Sequence, residues 1–318
     1  MIENLLSMSE PWLQCAIKTN LLDETGGDLT AIKTGALKDG KIQSYLKDVS
    51  GFHGTLVSSH KNPDLPIHKL LFLLDIGLDT GVPEIENAIR QIMGRKDKYG
   101  VYQSMTNIPR HYGGKGEDTF GWCLCDAPLL LLALLKAGVD YQTHIKQGAD
   151  HLLTLFTEQG FPCTVSEEHG KFRGPGRKDD CCPYATLCML NLLAGIGEYR
   201  DGDTARRGAG VILSLWENSR ERHPYMFYMG TDFRKLKAPA LFYDIVSVAD
   251  CLSKFDFVKT DTRFREMTEI IKAKQDENGL FTPESVYQKN KGWDFGQKKE
   301  PSPYLSCLCI RILERAKT

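Results

Sequence analysis

The chain has 318 residues, of which 40 are Lys or Arg and 41 are Asp or Glu, so its formal net charge is −1. Hydrophobic residues make up 42% and charged residues 25%, a composition that excludes disordered and collagen-like chains. The balanced charge argues against a nucleic-acid binder, because such proteins normally carry a basic excess. No apolar run approaches the ~20 residues that span a bilayer; the longest covers 127–135.

The first residues contain neither the basic segment nor the apolar core of a signal peptide. The sequence therefore predicts a cytoplasmic protein. Ten cysteines are too few for a disulfide scaffold in a chain of this length. We expect most of them to be reduced, buried thiols.

In chain order, the sequence predicts helices of two alternating kinds. Residues 9–22 and 30–48 form a degenerate hairpin within 1–52. Helices that are apolar on most faces, and therefore buried on both sides, are predicted over 66–77, 119–137, 183–197 and 239–255. Amphipathic helices are predicted to follow them over 82–94, 141–157, 203–218 and 261–275, and a lone final helix over 303–316.

The pattern is a weak internal repeat. Gly77, Gly138 and Gly197 each end an apolar helix, and they recur at a spacing of about 60 residues. The sequence indicates a single domain over 1–318, in which 53–318 consist of these helix-hairpin repeats. In an open solenoid, one apolar face of these helices would be exposed to water. We therefore predict an all-α fold, an α/α toroid. Its inner ring would have about six helices and its outer ring about five.

Three segments carry a resemblance to known families. The segment from Gln275 to Phe281 resembles the Q-x(2–5)-G-x-W repeat of squalene and terpenoid cyclases, with Phe in the Trp place. Segments 119–135 and 176–193 resemble the inner-helix starts of protein prenyltransferase β subunits. Over about 50–318, the chain resembles a group of prenyltransferase- or squalene-cyclase-like bacterial proteins. This resemblance implies the terpenoid-cyclase fold and a protein that binds or processes an isoprenoid.

The resemblance also implies where a metal would lie. Protein prenyltransferases hold zinc with a D-x-C motif at one inner-helix start and a His at the next. The D-x-C spacing occurs twice, at Asp179 with Cys181 and at Asp180 with Cys182. The next inner-helix start has no His and offers Asp244 instead. Asp180 and Cys182 are therefore the candidate metal ligands, with zinc and magnesium the candidate metals. In the competing interpretation, the aspartates only cap the helix.

In a toroid of this kind, the N-termini of the buried helices would gather on one rim together with basic loops, which favours an anion. Aromatic rings near those helix starts would stabilise positive charge in a bound isoprenoid. The expected partner is a hydrophobic small molecule or lipid phosphate. The candidate ligand-binding residues are Arg173, Arg177, Lys178, Trp122, Tyr184, Tyr243 and Tyr304.

Two other functions stay open at this point. A carbohydrate-active (α/α) toroid would need two carboxylates roughly 5–10 Å apart. Alternatively, the chain is a helical-repeat interaction protein without catalysis. The sequence leaves open the reaction, the oligomeric state and whether the chain is an enzyme at all. The candidate catalytic residues are Asp180, Cys182, Asp126 and Asp244. Six cysteines form three close pairs with no assigned role: Cys123/Cys125, Cys181/Cys182 and Cys307/Cys309.

Overall fold

The computed structural model describes residues 2–22, 24, 27–57, 59–172, 174, 180–221, 223–224 and 226–317. These residues are mainly α-helical and include one two-stranded sheet. The prediction of a predominantly helical fold is therefore confirmed. Of the helices described, none combines the length and the apolar character needed to cross a bilayer.

The elements follow one another along the chain as alternating helices and loops. The helices are α1 (Ile2–Ser7), α2 (Pro11–Leu21), α3 (Gly27–Ala36), α4 (Gly40–Ser50), α5 (Pro66–Asp75), α6 (Pro83–Met93), α7 (Ala127–Lys136), α8 (Lys146–Leu153), α9 (Pro183–Gly195), α10 (Gly197–Arg200), α11 (Asp203–Glu217), α12 (Ile245–Leu252), α13 (Thr262–Lys272) and α14 (Pro303–Arg315). The strands are β1 (Ser104–Asn107) and β2 (Asp118–Gly121).

Most helices form where the sequence predicts them, but the predicted helix over 30–48 is wrong. It is two helices, α3 and α4, separated by a turn at 37–39. The carboxylate of Asp39 accepts a hydrogen bond from the backbone N–H of Lys41 at 2.7 Å. An aspartate in this position satisfies a free N–H at a helix start, so it begins a new helix.

Two of the apolar helices begin later than predicted. Residues 119–121 belong to β2, which pairs antiparallel with β1 so that Ser104 lies opposite Gly121. Helix α7 then starts after Asp126, and α12 starts after Asp244. The pairing of β1 with β2 joins residues that the local sequence pattern does not connect. The pattern therefore extended the predicted helix into β2.

The contacts divide the chain into two compact units, each assembled from separate stretches of sequence. Unit 2 consists of Gly51–Ile67 and Asn87–Gly230. Its core is formed by α7 and α9, in which nearly every side chain is buried. Helix α7 contacts α8 and α9, and α9 also contacts α11. The apolar helices are therefore packed between amphipathic ones, as their composition predicts.

Unit 1 consists of Met1–Ser50, His68–Glu86 and Thr231–Thr318. Helix α14 contacts α2, α12 and α13, so the first and last parts of the chain pack together here. Part of its core is a cluster of aromatic rings with centroids 4.9 to 6.4 Å apart, formed by Trp12, Tyr45, Phe72, Trp293, Phe295 and Tyr304. The single-domain arrangement stays a prediction.

Candidate metal centre

Three short extended segments of unit 2 lie side by side, and each carries a cysteine. The middle segment covers residues 162–165. Its Val165 pairs with Cys123 of the first segment, and its Pro162 pairs with Cys181 of the third. Helices α7 and α9 begin directly after the outer two segments. Segments far apart in sequence thus meet at the start of two buried helices, bringing together the thiols of Cys123, Cys163 and Cys182.

His60, Cys123 and Asp126 form the candidate metal centre. Each offers one ligand atom, and these three atoms lie within 4.8 Å of one another. No other group of three or more potential ligands converges this closely in the part of the chain that the structure describes. A thiolate, an imidazole and a carboxylate are the side-chain types that bind zinc.

Asp126 is the most informative member, because it is fully buried and only half satisfied. Its Oδ1 accepts a hydrogen bond from the backbone N–H of Cys123 at 2.8 Å. Its Oδ2 is buried without a hydrogen-bond partner and lies 3.6 Å from Nε2 of His60. Although Asp126 immediately precedes α7, its side chain does not cap that helix. A buried carboxylate oxygen in this state is costly unless a cation or a proton compensates it.

The electrostatics of His60 agree with this need for positive charge. Burial favours the neutral imidazole, but the neighbouring Cys125 and Asp126 together outweigh it and raise the pKa of His60 well above its ordinary value. The Sγ of Cys125 lies 3.5 Å from both ring nitrogens. A metal ion between His60 and Asp126 would satisfy the same groups in place of the imidazolium proton.

A second pair of thiols adjoins this centre. The side chains of Cys163 and Cys182 are hydrogen-bonded, which lowers the pKa of Cys163 and raises that of Cys182 well above its ordinary value. The backbone N–H of Gly174 also hydrogen-bonds to Cys163. A Cβ at position 174 would lie 2.5 Å from the Cys163 sulfur, so any other residue there would force the sulfur or the backbone to shift.

The residues predicted as catalytic or metal-binding are divided among different places. Asp126 belongs to the candidate metal centre, and Cys182 belongs to the adjoining pair of thiols. Asp180 instead lines a groove of about 580 Å³ that also contains Glu158 and Arg207. Asp244 belongs to unit 1, where its carboxylate accepts the Ser247 N–H at 2.9 Å and caps α12. The assignment of Asp180 and Cys182 as joint metal ligands stays a prediction.

The predicted ligand-binding residues are likewise spread out. Arg173, Arg177 and Lys178 lie outside the described residues, as does Asp179 of the first D-x-C motif. Tyr184 is buried at the start of α9, with its ring centroid 6.3 Å from that of His60.

Trp122 lies beside the candidate metal centre, in a groove of about 370 Å³. Its indole N–H donates to Asp97 at 2.8 Å, and its ring meets that of His151 edge-on at 6.1 Å. His151 in turn stacks on Tyr99 at 4.1 Å.

In unit 1, two further aromatic candidates pack against other rings. Tyr243 is buried against Phe233 with their centroids 5.3 Å apart. Tyr304 lies in the aromatic cluster, 5.3 Å from Phe72. Both are therefore core residues of that unit.

Sequence reasoning missed His60 and gave no role to Cys123. His60 comes from a polar loop before α5, where no local spacing connects it to the cysteines. Cys123 and Asp126 did offer a signal. They stand three residues apart directly before a helix, and at this spacing both side chains can contact the same metal ion.

Comparison with known proteins adds no family. No protein-family model matches the sequence, and no curated protein matches it. The crystal structure of a protein from Actinoplanes aligns over 97% of this chain and 90% of its own, with a TM-score of 0.45 and 10% sequence identity. A similarity this low carries no argument, so the function must be argued from the geometry of the site.

Proposed function

We propose that this protein is a zinc-dependent enzyme whose metal is held by His60, Cys123 and Asp126. The observation that carries the proposal is the buried Oδ2 of Asp126, which accepts no hydrogen bond and faces an imidazole and a thiol. Sulfur and nitrogen donors favour zinc over magnesium, which prefers an all-oxygen shell. Zinc is therefore the better fit of the two candidate metals.

The spacing of the donors is compatible with zinc after a small adjustment. Zinc–ligand distances of about 2.0–2.3 Å place neighbouring ligands of a tetrahedral site roughly 3.3–3.8 Å apart. The donor atoms here lie within 4.8 Å of one another, so a contraction of about 1 Å completes the site. His60 is in a loop before α5, so its side chain can make this movement.

Three protein ligands leave one coordination position open, which is typical of catalytic rather than structural zinc. When bound, zinc would act there as a Lewis acid that keeps a substrate thiol ionised. Cys125 is the competitor for this position, because its sulfur lies 3.5 Å from the His60 ring. If Cys125 also bound, the site would be closed and structural.

For the reaction, we propose transfer of an isoprenoid group to a thiol, in a protein with the prenyltransferase- and cyclase-like α/α toroid fold. The support is chemical, because an Asp, a Cys and a His are the ligand types that the family resemblance implies. They stand at different positions from those implied. All ten cysteines are free thiols, which suits the reducing cytoplasm that the sequence predicts.

The metal proposal is tested by zinc titration of the full-length protein after chelation, with the bound metal counted by mass spectrometry. We expect one zinc per chain. The variants Cys123→Ala, Asp126→Asn and His60→Gln should each weaken binding on the order of 100-fold or more, because each removes a ligand. Cys251→Ala, which removes a buried thiol of unit 1, should bind zinc as the wild type does. Equal zinc affinity in all four variants would contradict the proposed metal centre.

The reaction is tested separately on the zinc-loaded protein. A panel of isoprenoid diphosphates is incubated with a cysteine peptide, and the thioether product is measured by mass spectrometry. We expect product only with zinc-loaded wild type. If the protein binds zinc but forms no thioether product, the proposed metal centre stands and the proposed transferase activity is contradicted.

A further inference from the structure

Cys163 and Cys182 are held together by the backbone on which they stand. Cys182 donates its backbone N–H to the carbonyl of Phe161 at 2.7 Å, and Pro162 bridges Cys181 in the same place. Their side chains are hydrogen-bonded to each other. Because the pairing of the two segments places Cys163 and Cys182 next to each other, a disulfide between them requires little rearrangement of the backbone.

The two thiols differ in access. Cys163 is partly exposed, whereas Cys182 is 8% exposed. A reagent from solvent therefore reaches Cys163 first. The thiolate is the nucleophilic form in thiol–disulfide exchange, and Cys163 is the thiol of this pair that a disulfide in solvent can reach. Cys182 is placed to resolve the product from the buried side.

We propose that Cys163 and Cys182 form a redox-active dithiol site that exchanges with low-molecular-weight disulfides. This function goes beyond the proposed zinc enzyme, since neither thiol is among its three proposed metal ligands, and it gives Cys182 a role other than the metal ligand that the sequence predicts. It assigns a role to Cys182, which the sequence singled out, and to Cys163, which it did not.

The exchange is balanced in two steps. The thiolate of Cys163 attacks one sulfur of a disulfide RSSR, the S–S bond breaks and RS⁻ leaves, giving a mixed disulfide on Cys163. Cys182 then loses its proton to solvent and attacks the Cys163 sulfur, and the second RS⁻ leaves. Two protein thiols are oxidised by two electrons, and one RSSR is reduced to two thiols.

The test uses oxidised glutathione on the full-length protein, followed by rapid alkylation, intact mass measurement and non-reducing peptide mapping. We expect the chain to lose two hydrogens and the mapping to find a Cys163–Cys182 cross-link that dithiothreitol reverses. A wild-type chain that forms no cross-link, or forms one between other cysteines, would overturn the proposal without relying on any variant.

Three variants assign the roles. Cys182→Ser should stop at the mixed disulfide, with glutathione retained on Cys163. Cys163→Ser should form neither species. Cys181→Ser is the matched control, because Cys181 adjoins Cys182 and is also partly exposed, and it should cross-link as the wild type does. Glutathione retained on Cys182 in Cys163→Ser would reverse the assigned order and contradict the proposal.

Zinc content measured on the same samples separates the two proposals. A cross-link in a chain that binds no zinc would contradict the metal centre alone. One zinc per chain in a protein that forms no cross-link would contradict the dithiol site alone.

Discussion

At the scale of single residues, two buried aspartates precede helices and use their carboxylates differently. Asp244 accepts the Ser247 N–H and so caps α12 in the usual way. Asp126 accepts the N–H of Cys123, which precedes it, and leaves Oδ2 facing His60. The same residue type at the same kind of position therefore serves a helix in one case and a candidate ligand set in the other.

The Asp244 carboxyl gives a prediction of its own. Burial raises the pKa of Asp244 to about 6 from an ordinary value of 3.8, so the folded state holds this proton more tightly than the unfolded state. The associated stability is complete below about pH 3.8 and is lost as the pH rises through about 6. Two pH units correspond to about 3 kcal/mol. Asn caps equally well without a charge.

Asp244→Asn should therefore gain stability relative to wild type, by about 2–3 kcal/mol, between pH 4 and pH 8. Urea denaturation of both proteins at the two pH values measures this difference. The same difference in unfolding free energy at both pH values would show that the carboxyl titrates alike in the folded and unfolded states.

At the scale of elements, a helical glycine contributes to stability where another backbone approaches it too closely for a side chain. A Cβ at Gly148 in α8 would lie 2.5 Å from the carbonyl oxygen of Gly100. A Cβ at Gly210 in α11 would meet no atom within 4 Å. Helix α8 can therefore lie this close to the turn at Gly100 only because position 148 has no side chain.

Gly148→Ala should destabilise the protein by about 1–3 kcal/mol, because the backbone must shift. Gly210→Ala is the matched control and should stabilise it by up to about 1 kcal/mol, since alanine has the higher helix propensity. Urea denaturation of the two variants checks both signs. Equal effects would mean that the approach of α8 to Gly100 is not tight.

At the scale of the whole molecule, a buried ion network joins distant parts of the chain within unit 1. The guanidinium of Arg311 in α14 lies 2.9 Å from Asp250, 3.1 Å from Asp75 and 2.9 Å from the side-chain oxygen of Asn20. Burial alone would raise the pKa of Asp250, but Arg311 and its basic neighbours hold it well below its ordinary value. The stability from this pairing is present above about pH 4 and is lost on acidification.

Arg311→Ala leaves Asp250 buried without its main partner and should destabilise the protein by about 3–5 kcal/mol. Arg207→Ala removes an exposed pair with Asp203 on α11 and should cost less than about 1 kcal/mol. Thermal and urea denaturation at pH 7 compare the two. Similar small losses would indicate that water already screens Arg311.

The helices α9, α11 and α14 were predictable to within two residues because their signals are local. Apolar periodicity, a proline in the first turn or a capping residue sets each of them. The pairing of β1 with β2 and the break between α3 and α4 depend on partners or turns that periodicity does not register. The candidate metal centre divides in the same way. Asp126 stands directly before a helix and is singled out by the sequence, whereas His60 enters from a loop distant in sequence and is not.

The most direct measurement is zinc K-edge X-ray absorption on the zinc-loaded, full-length protein. A site made of His60, Cys123 and Asp126 predicts a shell with one sulfur at about 2.3 Å and three nitrogen or oxygen atoms at about 2.0–2.2 Å, one of them from solvent. In Asp126→Asn the first shell should lose occupancy together with zinc affinity. A shell of two or more sulfurs would contradict this centre, because Cys125 or other neighbouring thiols would then be ligands.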